Sequence, residues 1–597
     1  MSVRPSAGAL PPVAAAAVVL IALHLVVRAV LAFGGYFYWD DLILVGRAGT
    51  QPLLSWEYLF TDHDGHVMPA AFLLGGMITR LAPLVWTWPA LSLVILQLIA
   101  SLALLRALRV ILGWRPVLLV PLCFALFTPL AVPAFAWWAA ALNYLPMLAA
   151  LSWACADAIL LVRTGRRRYA VTALGAFAGG LLFFEKAAVI PFVAFTVAAL
   201  LRHVGGDRAA FQTVWRRGRP LWIASLAVTA AWIALYLVVV DQQRWSWNPS
   251  MTWDLLRRSV THGIVPGLVG GPWEWQRWAP ASPWAVPPAS VMALGWLALG
   301  AAVLVSMARK QRIGAVWVAA AGYAVACQVP IYLMRSSAFT ALELAQTLRY
   351  LPDLVVVLAL LAAVGFCAPN RADSRWLDAS ARRSAVLAVL AVGFVASSLF
   401  STAAFLTSWR DNPTKAYLVN AVRGLAEAKR ASTAPLLDQD VDPLILQPVV
   451  GPESLASHMF ALIRDRPAFG SHTDRLRMLD SSGRVVDAKV TWTRTIDAGP
   501  EPQCGYFVEP DAAVRMPLDG PLLPAEWTAE LNYLANTSGS MVLSLPMGPE
   551  TTVAVKPGLN RVYVRLSGAG DAITARVSTA ALAVCVASGP IGHLAPR

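Results

Sequence analysis

The sequence predicts a mainly α polytopic membrane protein with a C-terminal extracytoplasmic β-rich domain of jelly-roll or sandwich type. Three observations lead there. Hydrophobic residues make up 58% of the 597 and charged residues only 14%, for a mean hydropathy of +0.59, more apolar surface than a water-soluble fold can hide. Apolar runs of the ~20 residues that a helix needs to cross about 30 Å of hydrocarbon recur from Leu10 to Leu406 and then stop. From Val485 onward the period changes to two, as in AKVTWTRTI, MVLSLPM, TTVAVKPG and NRVYVRLSG, with turn residues between the runs.

In chain order the spans are Pro11 to Gly35, Pro89 to Ile111, Pro116 to Phe135, Ala141 to Leu161, two short runs meeting at Glu185 and Lys186 (Tyr169 to Phe184 and Ala187 to Leu201), Leu221 to Val240, Val286 to Ala308, Ile313 to Leu333, Leu351 to Cys367, and Ser384 to Leu406. That is about eleven crossings. The first run follows a lone Arg4 and has no small-residue cleavage pattern, so it reads as an uncleaved helix. Arginines gather at Arg106, Arg109 and Arg115, at Arg163 to Arg168, at Arg202 to Arg219, at Arg309 with Arg312, and at Arg371 to Arg383. Placing these clusters and the N-terminus in the cytoplasm satisfies the positive-inside rule and, with an odd number of crossings, leaves the C-terminal region outside. The net charge of +14 is thereby explained by membrane lipids and topology, and nucleic acid is excluded as a partner.

Three outer loops then carry the polar residues: Tyr36 to Trp88, Asp241 to Trp284 and Met334 to Tyr350. Asp40 and Asp41 follow the first span. Adjacent residues cannot face the same way on a helix, so one caps the helix LILVGRA and the other faces a site. A carboxylate near apolar walls and a second acid is raised toward neutrality, which suits a general base; that role is assigned to Asp40. Asp62, His63, Asp64 and His66 pack four potential ligands around Gly65, a set that Mg²⁺, Mn²⁺ or Ca²⁺ would accept through Asp62, Asp64 and His66. An Asx-type turn explains the same residues equally well.

The adjacent Glu185 and Lys186 form either a self-neutralising turn or a lysine aimed at an anion in a protein-lined cavity. His24 and Arg28 lie four apart on one helical face, and a buried Arg28 needs a partner, either a lipid phosphate or an acid of the bundle. Glu343, Gln346 and Arg349 share a face if helical; Arg349 either forks onto a phosphate or snorkels to the interface. Trp273, Trp275 and Trp278 belong to an interfacial belt or line an acceptor groove by stacking on sugar rings.

Four segments resemble the GT-C superfamily of polytopic membrane glycosyltransferases, which use polyprenyl-phosphate sugars. They are WDD (Trp39 to Asp41), FFEKAAVIP (Phe183 to Pro191), AWWAAALNYLPMLAAL (Ala136 to Leu151) and LRYLPDL (Leu348 to Leu354). The resemblance spans about Pro11 to Leu406. It implies transfer of a sugar from a polyprenyl-phosphate donor to a cell-envelope glycan or lipid acceptor on the outer face of the plasma membrane. Asp40 or Asp41 would be the base, and Lys186, Arg349 and Tyr350, with Arg28, would hold the donor phosphate; Trp273 and Trp275 would meet the acceptor. The sequence departs from the family in its contiguous acids and in FEK where a small residue, Thr and Lys are commoner. A transporter or flippase of a lipid-linked glycan is the competing class.

The expected partition is 1–407 for the membrane domain, 408–484 for a mixed helical linker and 485–597 for the β-domain. The last resembles carbohydrate-binding modules of actinobacterial GT-C enzymes. Its two cysteines, Cys504 and Cys585, would pair in an oxidising exterior, whereas Cys123, Cys155, Cys327 and Cys367 lie in apolar spans as packing residues.

Overall fold

A computed structural model describes residues 11–241, 248–337, 339–371, 380–510 and 512–597. Arg4, Trp245, Trp247, Arg375 and the side chains of Arg382 and Arg383, which figure in the charge and tryptophan patterns above, lie outside the described residues. The chain forms two compact units: Met1–Leu44 with Gln51–Asn412, and Val45–Thr50 with Pro413–Arg597.

The longer helices of the membrane half are α1 (Pro12–Gly34), α2 (Asp40–Thr50, its last six residues assigned to the second unit), α3 (Pro69–Leu81), α4 (Thr87–Leu112), a pair α5 (Pro116–Phe127) and α6 (Pro129–Ala136) bent by 42°, α7 (Trp138–Thr164), α8 (Arg167–Phe183), α9 (Ile190–Val204), α10 (Ala210–Val239), α11 (Ala289–Arg309), α12 (Gly314–Arg335), α13 (Pro352–Cys367) and α14 (Ser380–Arg410). All eleven expected spans are helical, but not all are full crossings. Among the described residues eight helices are long and apolar enough, or nine when the bent pair counts as one.

The shortfall falls on α8 and α13, with 17 and 16 residues. Both have local causes: α8 begins in an arginine triplet and ends where Phe184 turns extended, and α13 runs from Pro352 at its first turn to Ala368 before Pro369. Helix α2, between the first two expected spans, is the helix LILVGRA expected after Asp40 and Asp41, and α3 follows it before the second span.

Helix α7 is the hub. Apolar on all sides, it is more buried than any other candidate span, as expected for a helix with no polar face. It packs against α4, α8 and α9. The arginine clusters meet at one end of this bundle: Arg106 pairs with Asp157, which also accepts from Thr172, and Arg163 and Arg217 donate to the carbonyls of Val110 and Val162. Arg312 reaches Val204 O and Arg371 N reaches Arg309 O at the same end. The acidic and aromatic residues of the loops after α1, α10 and α12 collect at the other.

The second unit opens with a helix, Thr414–Ala431, whose apolar stripe of Tyr417, Leu418, Ala421 and Leu425 is buried. Strands begin earlier than the alternation signal at Val485: His472–Thr473 and Arg477–Leu479 precede it. Two long antiparallel strands, Val514–Ala535 and Gly558–Val577, form the spine of a nine-stranded sheet. Register shifts between Pro517 and Leu522 and between Leu522 and Ala525 bend the pair. Other strands add to it on both sides, and Arg477–Leu479, Val485–Val490 and Leu594–Pro596 form a separate three-stranded sheet. Inward residues such as Leu531, Met541, Val564 and Ile573 fill a core of their own.

Cys504 and Cys585 form a disulfide that closes 81 residues and joins the loop before Tyr506–Val508 to the paired strand Val584–Val586. Constraining a loop of that length in the unfolded chain is worth roughly 4 kcal/mol. Replacing Cys504 by Ser is expected to lower the unfolding midpoint of the β-rich unit by roughly 10 °C. It should also strip amide-exchange protection from Val584–Val586 first, which hydrogen-exchange mass spectrometry on the full chain would read.

Candidate active site

The site is built around the turn that follows α1. Asp41 is fully buried, and both carboxylate oxygens are committed: Oδ2 accepts from Tyr38 N at 2.9 Å and Oδ1 from Ala139 N at 2.8 Å. Ala139 is the second residue of α7, so one carboxylate satisfies orphan amides at the start of two helices, where the helix dipole also favours negative charge. This use explains why the acids are contiguous. Asp41 is a capping group.

Asp40 faces the other way. It is part-buried, and among the described residues its carboxylate has no hydrogen-bond partner. Burial pushes its pKa up to about 6, although Arg349, the strongest charge acting on it, opposes the rise, as do His66 and Arg335, while Asp64 adds to it. Trp39, immediately before it, holds a left-handed φ of 44°, a strained conformation for a bulky residue that the surrounding fold must enforce.

Arg349 acts on Asp40 electrostatically from the far end of the membrane half. A 3₁₀ helix, Leu342–Thr347, ends in Leu348 at φ 57°, and this second left-handed residue turns Arg349 off the line shared by Glu343 and Gln346. Gln346 is used structurally, accepting from Arg258 Nε at 2.9 Å. The Arg349 guanidinium lies over the rings of Trp137 and Tyr350, 5.0 and 4.9 Å from their centroids, and donates to Tyr350 Oη at 2.7 Å; its buried Nε has no partner. Burial would raise the pKa of Tyr350, but Arg335 and Arg349 outweigh it and hold the phenol below its ordinary value.

Glu185 and Lys186 do not neutralise one another. They sit in a 3₁₀ turn between α8 and α9 and point to different partners. Glu185 Oε1 meets His66 Nδ1 at 2.7 Å, which keeps His66 protonated above its usual pKa against the effect of burial. Lys186 Nζ donates to Asp353 Oδ1 at 2.7 Å and to Tyr350 O at 3.0 Å. Asp353, fully buried, also accepts from Tyr323 Oη at 2.7 Å. The lysine thus pins the Arg349–Tyr350 segment to the Glu185–Lys186 turn.

The segment from Asp62 to His66 forms a hairpin with Asp64 and Gly65 at φ 54° and 86°, the values of a type I′ turn. Asp62 Oδ1 accepts from Gly65 N at 2.7 Å, Asp64 pairs with Arg335 at 2.9 Å, and His66 is taken by Glu185. Asp62, Asp64 and His66 therefore face three different partners. Among the described residues no three His, Cys, Asp or Glu side chains gather as a metal ion would require.

Three expected members lie elsewhere. Arg28 sits on Phe135 at 4.8 Å, two residues before the Trp137 that Arg349 covers, and its Nε meets His24 Nε2 at 2.9 Å. Trp273 and Trp275 turn to α14: Trp273 Nε1 donates to Ser397 Oγ at 2.7 Å and Trp275 Nε1 to Ser401 O at 3.1 Å, with edge contacts to Phe400 and Phe405. Their loop reaches Tyr38 instead through Pro280 O, 2.7 Å from Tyr38 Oη, and through Arg277 over the ring at 5.4 Å; Trp278 is exposed. Sequence reasoning missed Arg335 and Asp353. No motif singled out the first, and the second stood in LRYLPDL without a role.

No protein-family model matches the chain, and no curated protein matches it. Its structure is similar to several solved membrane proteins. The crystal structure of ArnT from Cupriavidus metallidurans bound to undecaprenyl phosphate is 14% identical, with a TM-score of 0.42 over 76% of this chain and 86% of that one. The Archaeoglobus fulgidus oligosaccharyltransferase complexed with Zn and sulfate is 12% identical, with a TM-score of 0.36 over 69% of this chain and 55% of that one. Arabinosyltransferase EmbB from Mycobacterium smegmatis is 13% identical, with a TM-score of 0.35 over 100% of this chain and 66% of that one.

Proposed function

We propose that this chain is a membrane glycosyltransferase that moves a sugar from a polyprenyl-phosphate donor to a cell-envelope glycan or lipid acceptor. It works outside the cytoplasm, at the end of the bundle away from the arginine clusters. One observation carries the proposal: Asp40, a carboxyl without a hydrogen-bond partner among the described residues, has Arg349 as the strongest charge acting on it, and the Arg349 guanidinium keeps an unused buried N–H. A base and an anion seat side by side are what transfer from a phosphate ester demands.

In this reading Asp40 takes the proton of the acceptor hydroxyl, the freed oxygen attacks the anomeric carbon, and the bond from that carbon to the phosphate oxygen breaks with its electron pair leaving on the lipid phosphate. A pKa of about 6 leaves Asp40 mostly ionised at neutral pH yet basic enough to be useful. Arg349, with Tyr350 beside it, meets the negative charge that develops on the leaving phosphate. Cations fixed before the reaction stabilise such charge more than mobile water does. Lys186 acts here through Tyr350 and Asp353, holding Arg349 in place.

Asp40→Asn and Arg349→Ala are each expected to cut turnover at least a hundredfold with expression intact. The assay is release of polyprenyl phosphate from a labelled polyprenyl-phosphate sugar by purified protein. Turnover in either variant near the wild-type level would reject the assignment, and transport of intact lipid-linked sugar without release would place the chain among carriers.

The raised pKa adds a pH signature. Wild-type kcat/KM should climb with pH through an acid limb near 6, and Asp40→Glu should shift that limb if it retains activity. The same group bears on stability. Because its folded-state pKa is raised above the unfolded value, its contribution is fully present below pH ~4 and is lost as the pH rises through about 6. Asp40→Asn should therefore raise the unfolding midpoint at pH 8 and leave it unchanged near pH 4, as thermal scans at the two pH values would show.

A further inference from the structure

Arg28 is buried to 3% exposure inside the bundle, and among the described residues no carboxylate lies within ion-pair distance of it. Its close contacts supply no negative charge. Nε donates to His24 Nε2 at 2.9 Å, so His24 is a neutral ring with its proton on Nδ1, and the guanidinium carbon lies 4.8 Å from the centre of the Phe135 ring. The buried Nη1 has no partner. A lone pair and a ring face lower the cost of taking a guanidinium out of water, but the full positive charge remains.

The same guanidinium lines a cavity of about 40 Å³ among α1, α4, α5, α6, α7 and α13. That is room for roughly three water-sized bodies, too little for a phosphate ester and its hydrocarbon stem. Arg28, Gln97, Ser101 and Tyr144 are the polar side chains on its wall, with no carboxylate among them. Each of the four can donate. Tyr144 Oη is buried without a partner, and Ser101 Oγ accepts from Gln97 Nε2 at 3.3 Å, which leaves the Ser101 hydroxyl proton to give.

We infer that this cavity is a binding site for one monatomic anion, a halide and in ordinary media chloride, which supplies the counter-charge to Arg28. Water would occupy the donors but leave the charge in place, whereas an anion cancels it. The volume admits a single small ion and excludes bulkier anions. Donors belong to three helices, Arg28 to α1, Gln97 and Ser101 to α4 and Tyr144 to α7. A spherical ion accepts from any direction, while a carboxylate accepts near one plane and brings carbon atoms that need room of their own. Bound there, the ion links α1 to α4 and α7. The inference uses neither Asp40 nor Arg349 and stands apart from the transfer reaction.

Equilibrium dialysis of the purified full chain against radioactive chloride, with gluconate holding the ionic strength, tests this. The wild type should retain one equivalent that bromide displaces and that inorganic phosphate and citronellyl phosphate leave in place. Arg28→Gln should lose it and Arg349→Gln should keep it, while Tyr144→Phe, which preserves the charge and nearly the shape, should weaken it about tenfold. Because the ion binds the folded chain, replacing gluconate by chloride should also raise the unfolding midpoint of the wild type and leave that of Arg28→Gln unchanged. No retained chloride, or an equivalent retained by Arg28→Gln, overturns the proposal. Displacement by citronellyl phosphate, or loss in Arg349→Gln, places the ion at the Arg349 site and overturns it as well. Should Arg28→Gln fail to fold, an unchanged affinity in Tyr144→Phe overturns it instead. Retained chloride in a protein that transfers no sugar would support this site while removing the enzymatic reading, so the two claims fail separately.

Discussion

The membrane half depends on how it accommodates buried charge. Asp41 is the central case: a carboxylate with no exposure is stable only because two backbone amides, Tyr38 N and Ala139 N, take both oxygens at the positive ends of two helices. That commitment fixes the direction of the chain after α1. With its neighbour used up in this way, Asp40 is turned outward, and the left-handed Trp39 accepts the strain.

The same logic governs the opposite side of the site. Lys186, Asp353 and Tyr323 form a chain of short polar contacts beneath the Arg349–Tyr350 pair, and every charge in it is matched within the protein. Glu185 and His66 form a second matched pair. Unmatched capacity is left at Asp40, at the Nε of Arg349 and at Arg28. In a low-dielectric setting, groups left in that condition are held there by the packing around them, and such groups cluster at functional sites.

Several site members were legible in the sequence because their signals are local. WDD announced a cap and a free acid, FEK a charged turn at the junction of two short helices, and RYLP the opening of a late helix. Their partners were not legible. Arg335 meets Asp64 across 271 positions and Lys186 meets Asp353 across 167, and no spacing rule reaches that far. The tryptophans of the 273–278 loop misled for the same reason: their density is visible in sequence, but whether they meet a ligand or Ser397 and Ser401 of α14 depends on a helix more than a hundred residues away.

Composition and hydropathy by themselves determined that the chain inhabits a membrane, where its helices lie and where β-structure takes over, because each of these follows from the solvent preference of consecutive residues. Tertiary structure alone decided that Asp41 caps and Asp40 does not, that two of the eleven helices are short, and that the turn at Asp62 to His66 engages three different partners in place of a common ion. Those outcomes turn on where lone pairs and protons find counterparts in space, and hydrogen bonds and ion pairs form between groups brought together by packing, at distances along the chain that sequence pattern does not encode.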